Sequence, residues 1–142
     1  MFVDRVDAGV AETILGHLHA SDAAMRATEL RVLGGAMARV PVEATAFAHR
    51  HRRIMVNLVA FTDSSEDRAM RQAWVDGFAA ALQQGDDGAY VNFLGDEGPA
   101  RVRAAYPGPT WDRLVAAKRH WDPDNLFRRN HNISPQAEAP DG

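Results

Sequence analysis

Apolar residues recur at helical spacing over residues 7–19, where Val10, Ile14, Leu15 and Leu18 fall on one side behind Asp7, a side chain able to cap a helix. Gly9 and Gly16 weaken that helix relative to alanine. From residue 28 to 33 the period drops to two. Leu30 and Val32 there alternate with Glu29 and Arg31, which predicts a strand with one buried face. Gly34 and Gly35 follow as a turn, a bulge or a close backbone approach. Residues 53–61 are, after Arg53, apolar on both faces except for Asn57, the pattern of a central strand.

Downstream, Ser64 or Ser65 is placed to cap a helix running to about residue 84, with acids in its first turn favoured by the helix dipole. Ala69, Ala73, Trp74, Gly77, Phe78, Ala81 and Leu82 form its predicted inward stripe. Gly85, Asp86, Asp87 and Gly88 end it. Residues 89–94 read as a short strand, and two helices follow at 99–106 and 110–121. Thr110 is the expected cap of the second, with Trp111, Leu114, Val115 and Lys118 periodic behind it. This order predicts an α+β fold, a small, mostly antiparallel sheet with helices packed on one face. Residues 134–142 have the composition of a disordered tail.

The chain has 142 residues, enough for one domain, and no cysteine. Disulfide frameworks, thiolate metal sites and cysteine nucleophiles are thereby excluded. A net charge of −3 is too mild to draw the chain to nucleic acid or an acidic membrane. With no basic leader and no long apolar run, the expectation is a cytoplasmic protein with no membrane partner. Fifteen of the 16 cationic residues are Arg and 25 residues are Ala, skews that GC-rich codon usage produces and that point to a bacterium.

Chemistry is sparse. His17 and His19 would point apart on a helix, and His49 and His51 are flanked by Arg50, Arg52 and Arg53, which repel a cation, so no metal site is expected. The arginine cluster suits either an anionic ligand or a solvated strand entrance. Asn57, an amide in an apolar strand, must either be satisfied by a structural partner or face a cavity. Phosphate-binding glycine loops, nucleophile elbows and zinc-protease motifs are missing. From these residues alone the function stays open.

One long segment changes the picture: Tyr90-Val91-Asn92-Phe93-Leu94, then Tyr106, then Arg113 to Lys118, then Asp122-Pro123-Asp124-Asn125-Leu126-Phe127, then Asn130-His131-Asn132-Ile133. It closely resembles the C-terminal signature of berberine-bridge-enzyme-like FAD-linked oxidases, a branch of the vanillyl-alcohol-oxidase flavoprotein superfamily. Upstream, Gly34-Gly35-Ala36 and residues 44–50 are similar to the family's substrate domain. Read without the resemblance, Asp122 to Asn125 is a turn that stops the preceding helix, with Leu126 and Phe127 anchoring it in the core. Asn130 and Asn132 offer neutral donors and acceptors, suited either to the pyrimidine edge of a flavin or to tying down the chain.

The resemblance implies residues 1–133 as part of a substrate domain, with the flavin-facing segment at 90–135. It implies FAD as cofactor, Tyr90, Asn92, Asn130, His131 and Asn132 as cofactor-binding residues, and Asn57 and His49 lining the cavity of a small-molecule substrate. In such enzymes the flavin accepts a hydride from an alcohol, hemiacetal or amine carbon while a side chain removes the proton. Phe93 occupies a position that is often the family's tyrosine base. It has no ionisable group, so a base must lie elsewhere, with His49 as the candidate. Nothing here resembles the family's FAD-binding domain, which implies a separate FAD-binding domain or subunit as partner for activity. The alternative is a non-enzymatic α+β module or remnant. In both, surfaces evolved to be covered would leave an exposed apolar patch and favour a homodimer.

Overall fold

A computed structural model describes residues 1–85 and 87–136. The residues divide into two compact units, one of residues 1–38 and 51–87, the other of residues 39–50 and 88 onward.

In the first unit, α1 (Ala8–Ala20) begins as predicted, with the Asp7 carboxylate accepting the Val10 N–H at 3.0 Å. β2 (Arg26–Val32) and β3 (Ile54–Ala60) pair antiparallel, Leu30 opposite Val56. A third strand that the pattern did not announce, β1 (Phe2–Val3), pairs on the other side of β3. Two residues are too few to show a period. The sheet order β1-β3-β2 makes β3 the central strand expected of its two-sided apolar run. Fold class and sheet sense agree with the sequence pattern, and α1 and α2 (Ser65–Leu82) pack with Val3, Val56 and Phe78 in one core.

Two expectations fail here. β2 is not half-buried: Leu30 is 42% and Val32 85% exposed, because the strand forms an edge of the sheet. The inward stripe of α2 is Arg71, Trp74, Phe78 and Leu82, while Ala69, Ala73, Gly77 and Ala81 are exposed. Arg71 tolerates burial because the Asp67 carboxylate accepts its Nε–H at 3.0 Å and Asp22 accepts from its Nη1. Ser64 is the cap, its hydroxyl accepting the Asp67 N–H at 3.2 Å. Trp74 donates from its indole to the His17 carbonyl at 3.1 Å, and His17 stacks on Phe78 with ring centroids 4.6 Å apart.

In the second unit, residues 89–94 form no strand. Val91–Phe93 is a single 3-10 turn, closed by the Phe93 N–H donating to the Tyr90 carbonyl at 2.9 Å. α3 (Pro99–Ala105) and α4 (Pro109–Trp121) follow. Thr110 does not cap α4. Pro109 takes the first helical position, Gly108 precedes it at φ 57°, ψ −136°, a conformation open to glycine, and Thr110 is buried inside the helix. Val115 is buried and Trp111, Leu114 and Lys118 half-buried on the predicted face.

The turn after α4 is built around Asp122, which is 8% exposed. Its carboxylate accepts N–H groups from Leu126 at 2.7 Å and Phe127 at 3.1 Å and pairs with Lys118. The Lys118 hydrogen bond, with those two N–H groups, holds the Asp122 carboxyl below the usual aspartate range. Asn125 takes the left-handed conformation at φ 52° that the turn requires. The turn forms as its sequence predicts, but Leu126 and Phe127 do not anchor it in a core: they are 73% and 82% exposed. Backbone bonds to Asp122, not burial, hold them. The predicted disordered tail falls mostly on residues 137–142, outside the described residues.

Candidate functional site

Three pieces of the second unit meet around a hollow of about 130 Å³: the segment carrying Phe47 and His49, the 3-10 turn carrying Tyr90 and Asn92, and the end of α3 at Tyr106. Alanines 46, 89 and 105 supply its apolar lining. Small side chains leave the space; rings give it shape. Phe47 meets Tyr90 edge-on at 5.8 Å, and Tyr90 meets Phe93 edge-on at 5.2 Å, both near 89°.

The turn at Val91–Phe93 places Asn92 beside Tyr90, and the Asn92 amide donates to the Tyr90 hydroxyl at 2.8 Å. Accepting from Asn92 uses one lone pair of the Tyr90 hydroxyl, which still carries its O–H donor. Tyr106 is pushed above the ordinary tyrosine pKa, first by burial and then by neighbouring Tyr90. A phenol kept protonated in this way donates hydrogen bonds and does not act as a base. His49 is 3% exposed and its Nε2–H donates to the Ala105 carbonyl at 3.2 Å. That bond fixes the ring between two pieces of chain and engages Nε2.

Of the residues singled out from the sequence, the structure brings Tyr90, Asn92 and His49 to one hollow. Phe93 stands against Tyr90 as a ring contact, and Arg50 is occupied locally, donating to the Thr45 hydroxyl at 2.6 Å. Asn130, His131 and Asn132 lie on the stretch after the Asp122 turn, outside the lining, with Asn130 left-handed at φ 58°. The side-chain oxygen of Asn132 is buried without a hydrogen-bond partner. Asn57 belongs to the first unit, opposite Glu29 in the ladder, and its hydrogen bond, after that from Arg31, helps lower the Glu29 carboxyl pKa. Among the described residues no three His, Asp or Glu side chains cluster as metal ligands, and no helix is long and apolar enough to cross a membrane. Sequence reasoning missed Phe47 and Tyr106 as lining residues. Tyr106 lay within the recognised signature, but no periodicity brings it to Tyr90.

Within this α+β chain, residues 89–134, which contribute Tyr90, Asn92 and Tyr106, match the family model described as "Berberine and berberine like". The resemblance read from the sequence is borne out. Among particular proteins, the chain is 31% identical over 105 residues to YgaK of Bacillus subtilis, an FAD-linked oxidoreductase by name, with 74% of this chain and 23% of YgaK covered. It is 31% identical over 96 residues to the FAD-linked oxidoreductase aurO of Gibberella zeae, covering 66% of this chain and 18% of aurO. The fold matches a solved structure, Physcomitrella patens BBE-like 1 variant D396N, at TM-score 0.69 and 21% identity, over 96% of this chain and 28% of that one. The chain thus spans about a quarter of the length of YgaK.

Proposed function

We propose that this chain is the C-terminal substrate-domain portion of an FAD-dependent oxidoreductase acting on a small molecule, and that it works with a separate FAD-binding portion and self-associates. Residues 1–133 are read as part of the substrate domain, with the flavin-facing segment at 90–135. One observation carries the reading: the family-matched segment supplies both the donor pair at the hollow, Tyr90 and Asn92, and the buried, unpartnered oxygen of Asn132. A buried acceptor without a donor is costly, and an imide N–H of a flavin ring is a donor of the right kind. Asn130 and His131 flank it.

When bound, FAD supplies the two-electron acceptor that no side chain provides. This chain's own residues orient and enclose. Tyr90, steadied by Asn92, and Tyr106, held protonated, donate to oxygen atoms of a ligand. Phe47 walls the hollow with an apolar ring, Phe93 packs edge-on behind Tyr90, and Asn57 remains the proposed substrate contact of the first unit. His49 is the one ionisable base candidate beside the hollow, and its use as a base requires release of its bond to Ala105.

The test is complementation. The part of YgaK outside its match to this chain is produced alone and mixed with this chain, and flavin retention and substrate-dependent flavin bleaching are measured. The reading predicts retention of FAD in the mixture, weakened by Asn132→Ala. If the two chains neither associate nor retain flavin together, the oxidoreductase reading fails and a non-enzymatic module is what remains.

A further inference from the structure

We infer that the free edge of β2 pairs with the same edge of a second copy of this chain, antiparallel and centred on Leu30. The inference gives a place to the self-association proposed above and rests on that part of the reading, not on the flavin. The Leu33 N–H donates to the Arg53 carbonyl at 2.7 Å and the Phe61 N–H to the Met25 carbonyl at 2.9 Å, so odd-numbered residues of β2 turn their backbone groups toward β3. In an antiparallel strand the alternate residues then turn theirs away. Thr28, Leu30 and Val32 therefore present N–H and C=O groups along an edge that no strand among the described residues occupies. Such an edge is a template for another strand unless charge, proline or a bulge blunts it.

Here the charges select a partner instead of excluding one. Glu29 and Arg31 stand on one face of β2, half-exposed, with Leu30 and Val32 exposed on the other. In a two-fold pair centred on Leu30, each Glu29 lies directly opposite Arg31 of the second copy, twice over. Leu30 faces its own copy and Val32 faces Thr28. Centring the pair on Glu29 or on Arg31 would set like charges against each other at the closest cross-strand spacing. The outward backbone groups admit a two-fold centre anywhere from Thr28 to Val32, and only the centre at Leu30 sets each Glu29 opposite an Arg31. The contact is isologous, so it closes at two copies.

The test is the mass of the purified full chain by sedimentation at tens of micromolar, with substitutions confined to the edge. Leu30→Pro removes an outward N–H and no bond to β3, so it spares the fold of the protomer. The unaltered chain should sediment at twice its 15.6 kDa mass, and Leu30→Pro at the single mass with unchanged circular dichroism. Glu29→Arg alone should weaken pairing by about tenfold or more, and Glu29→Arg combined with Arg31→Glu should restore it. A monomer at all concentrations overturns both the self-association and its location. A dimer indifferent to Leu30→Pro, or one that the charge exchange does not restore, overturns the location alone and leaves self-association elsewhere. Flavin complementation is read separately.

Discussion

His49 offers the sharpest test of how the hollow is held. The ring is 3% exposed, donates from Nε2 to the Ala105 carbonyl at 3.2 Å and meets Phe47 edge-on at 6.0 Å. His49→Phe keeps a ring against Phe47 and removes the Nε2 hydrogen bond, leaving a buried carbonyl at the end of α3. That should cost about 1–3 kcal/mol, the penalty of an unsatisfied buried acceptor. His49→Ala also loses the ring contact, worth roughly 0.5–1.5 kcal/mol, and should cost about 2–4 kcal/mol in all. Gln places a side-chain N–H close to where Nε2 stands and should recover most of the loss. Urea unfolding followed by far-ultraviolet circular dichroism gives the three values. With whole-domain stability of about 5–15 kcal/mol, the alanine variant should unfold at visibly lower urea. If His49→Phe proves as stable as the unaltered chain, the histidine is not a structural tie, and its role as a base regains first place.

Two further outcomes follow from the scaffold. The Asp122 carboxyl is depressed by the Lys118 hydrogen bond and the turn N–H groups. Its folded pKa therefore lies below its unfolded one, and its contribution is complete above about pH 4 and lost as pH falls through the folded value. Acid unfolding of Asp122→Asn should be flatter than that of the unaltered chain below about pH 4, and parallel curves there would refute the assignment. Phe78, fully buried between His17 and Trp74, should cost about 3–5 kcal/mol as Phe78→Ala, measured by the same urea method, and a loss under about 1 kcal/mol would contradict its place in the core.

The elements easiest to read were those whose period and caps agreed. Asp7 and Ser64 capped the helices they precede, and the apolar run around Asn57 became the central strand because both its edges are paired. Period alone misled where position in the sheet decides burial: Leu30 and Val32 alternate as if half-buried, yet an edge leaves them wet. Short segments misled as well. Residues 89–94 carry strand-forming side chains but lack a pairing partner, and the backbone closes on itself between Tyr90 and Phe93. Of the hollow, Tyr90, Asn92 and His49 were legible through the chain's resemblance to a family pattern of residue types, whereas Phe47 and Tyr106 as lining residues were not. Their meeting depends on contacts 43 and 16 positions from Tyr90, which no local pattern encodes.

The segment that matches the family and the segment that must fold together are different sets of residues. Residues 39–50 belong to the second unit although 37 residues of the first unit, 51–87, separate them from the rest of it. His49 reaches the Ala105 carbonyl and the Glu43 carbonyl accepts from Arg113, so this strap waits for chain made much later. During synthesis it leaves the ribosome long before its partners exist, while the intervening strand and helix can already assemble. A piece cut to residues 89–134 would keep the recognisable signature and lose Phe47 and His49, one wall of the hollow.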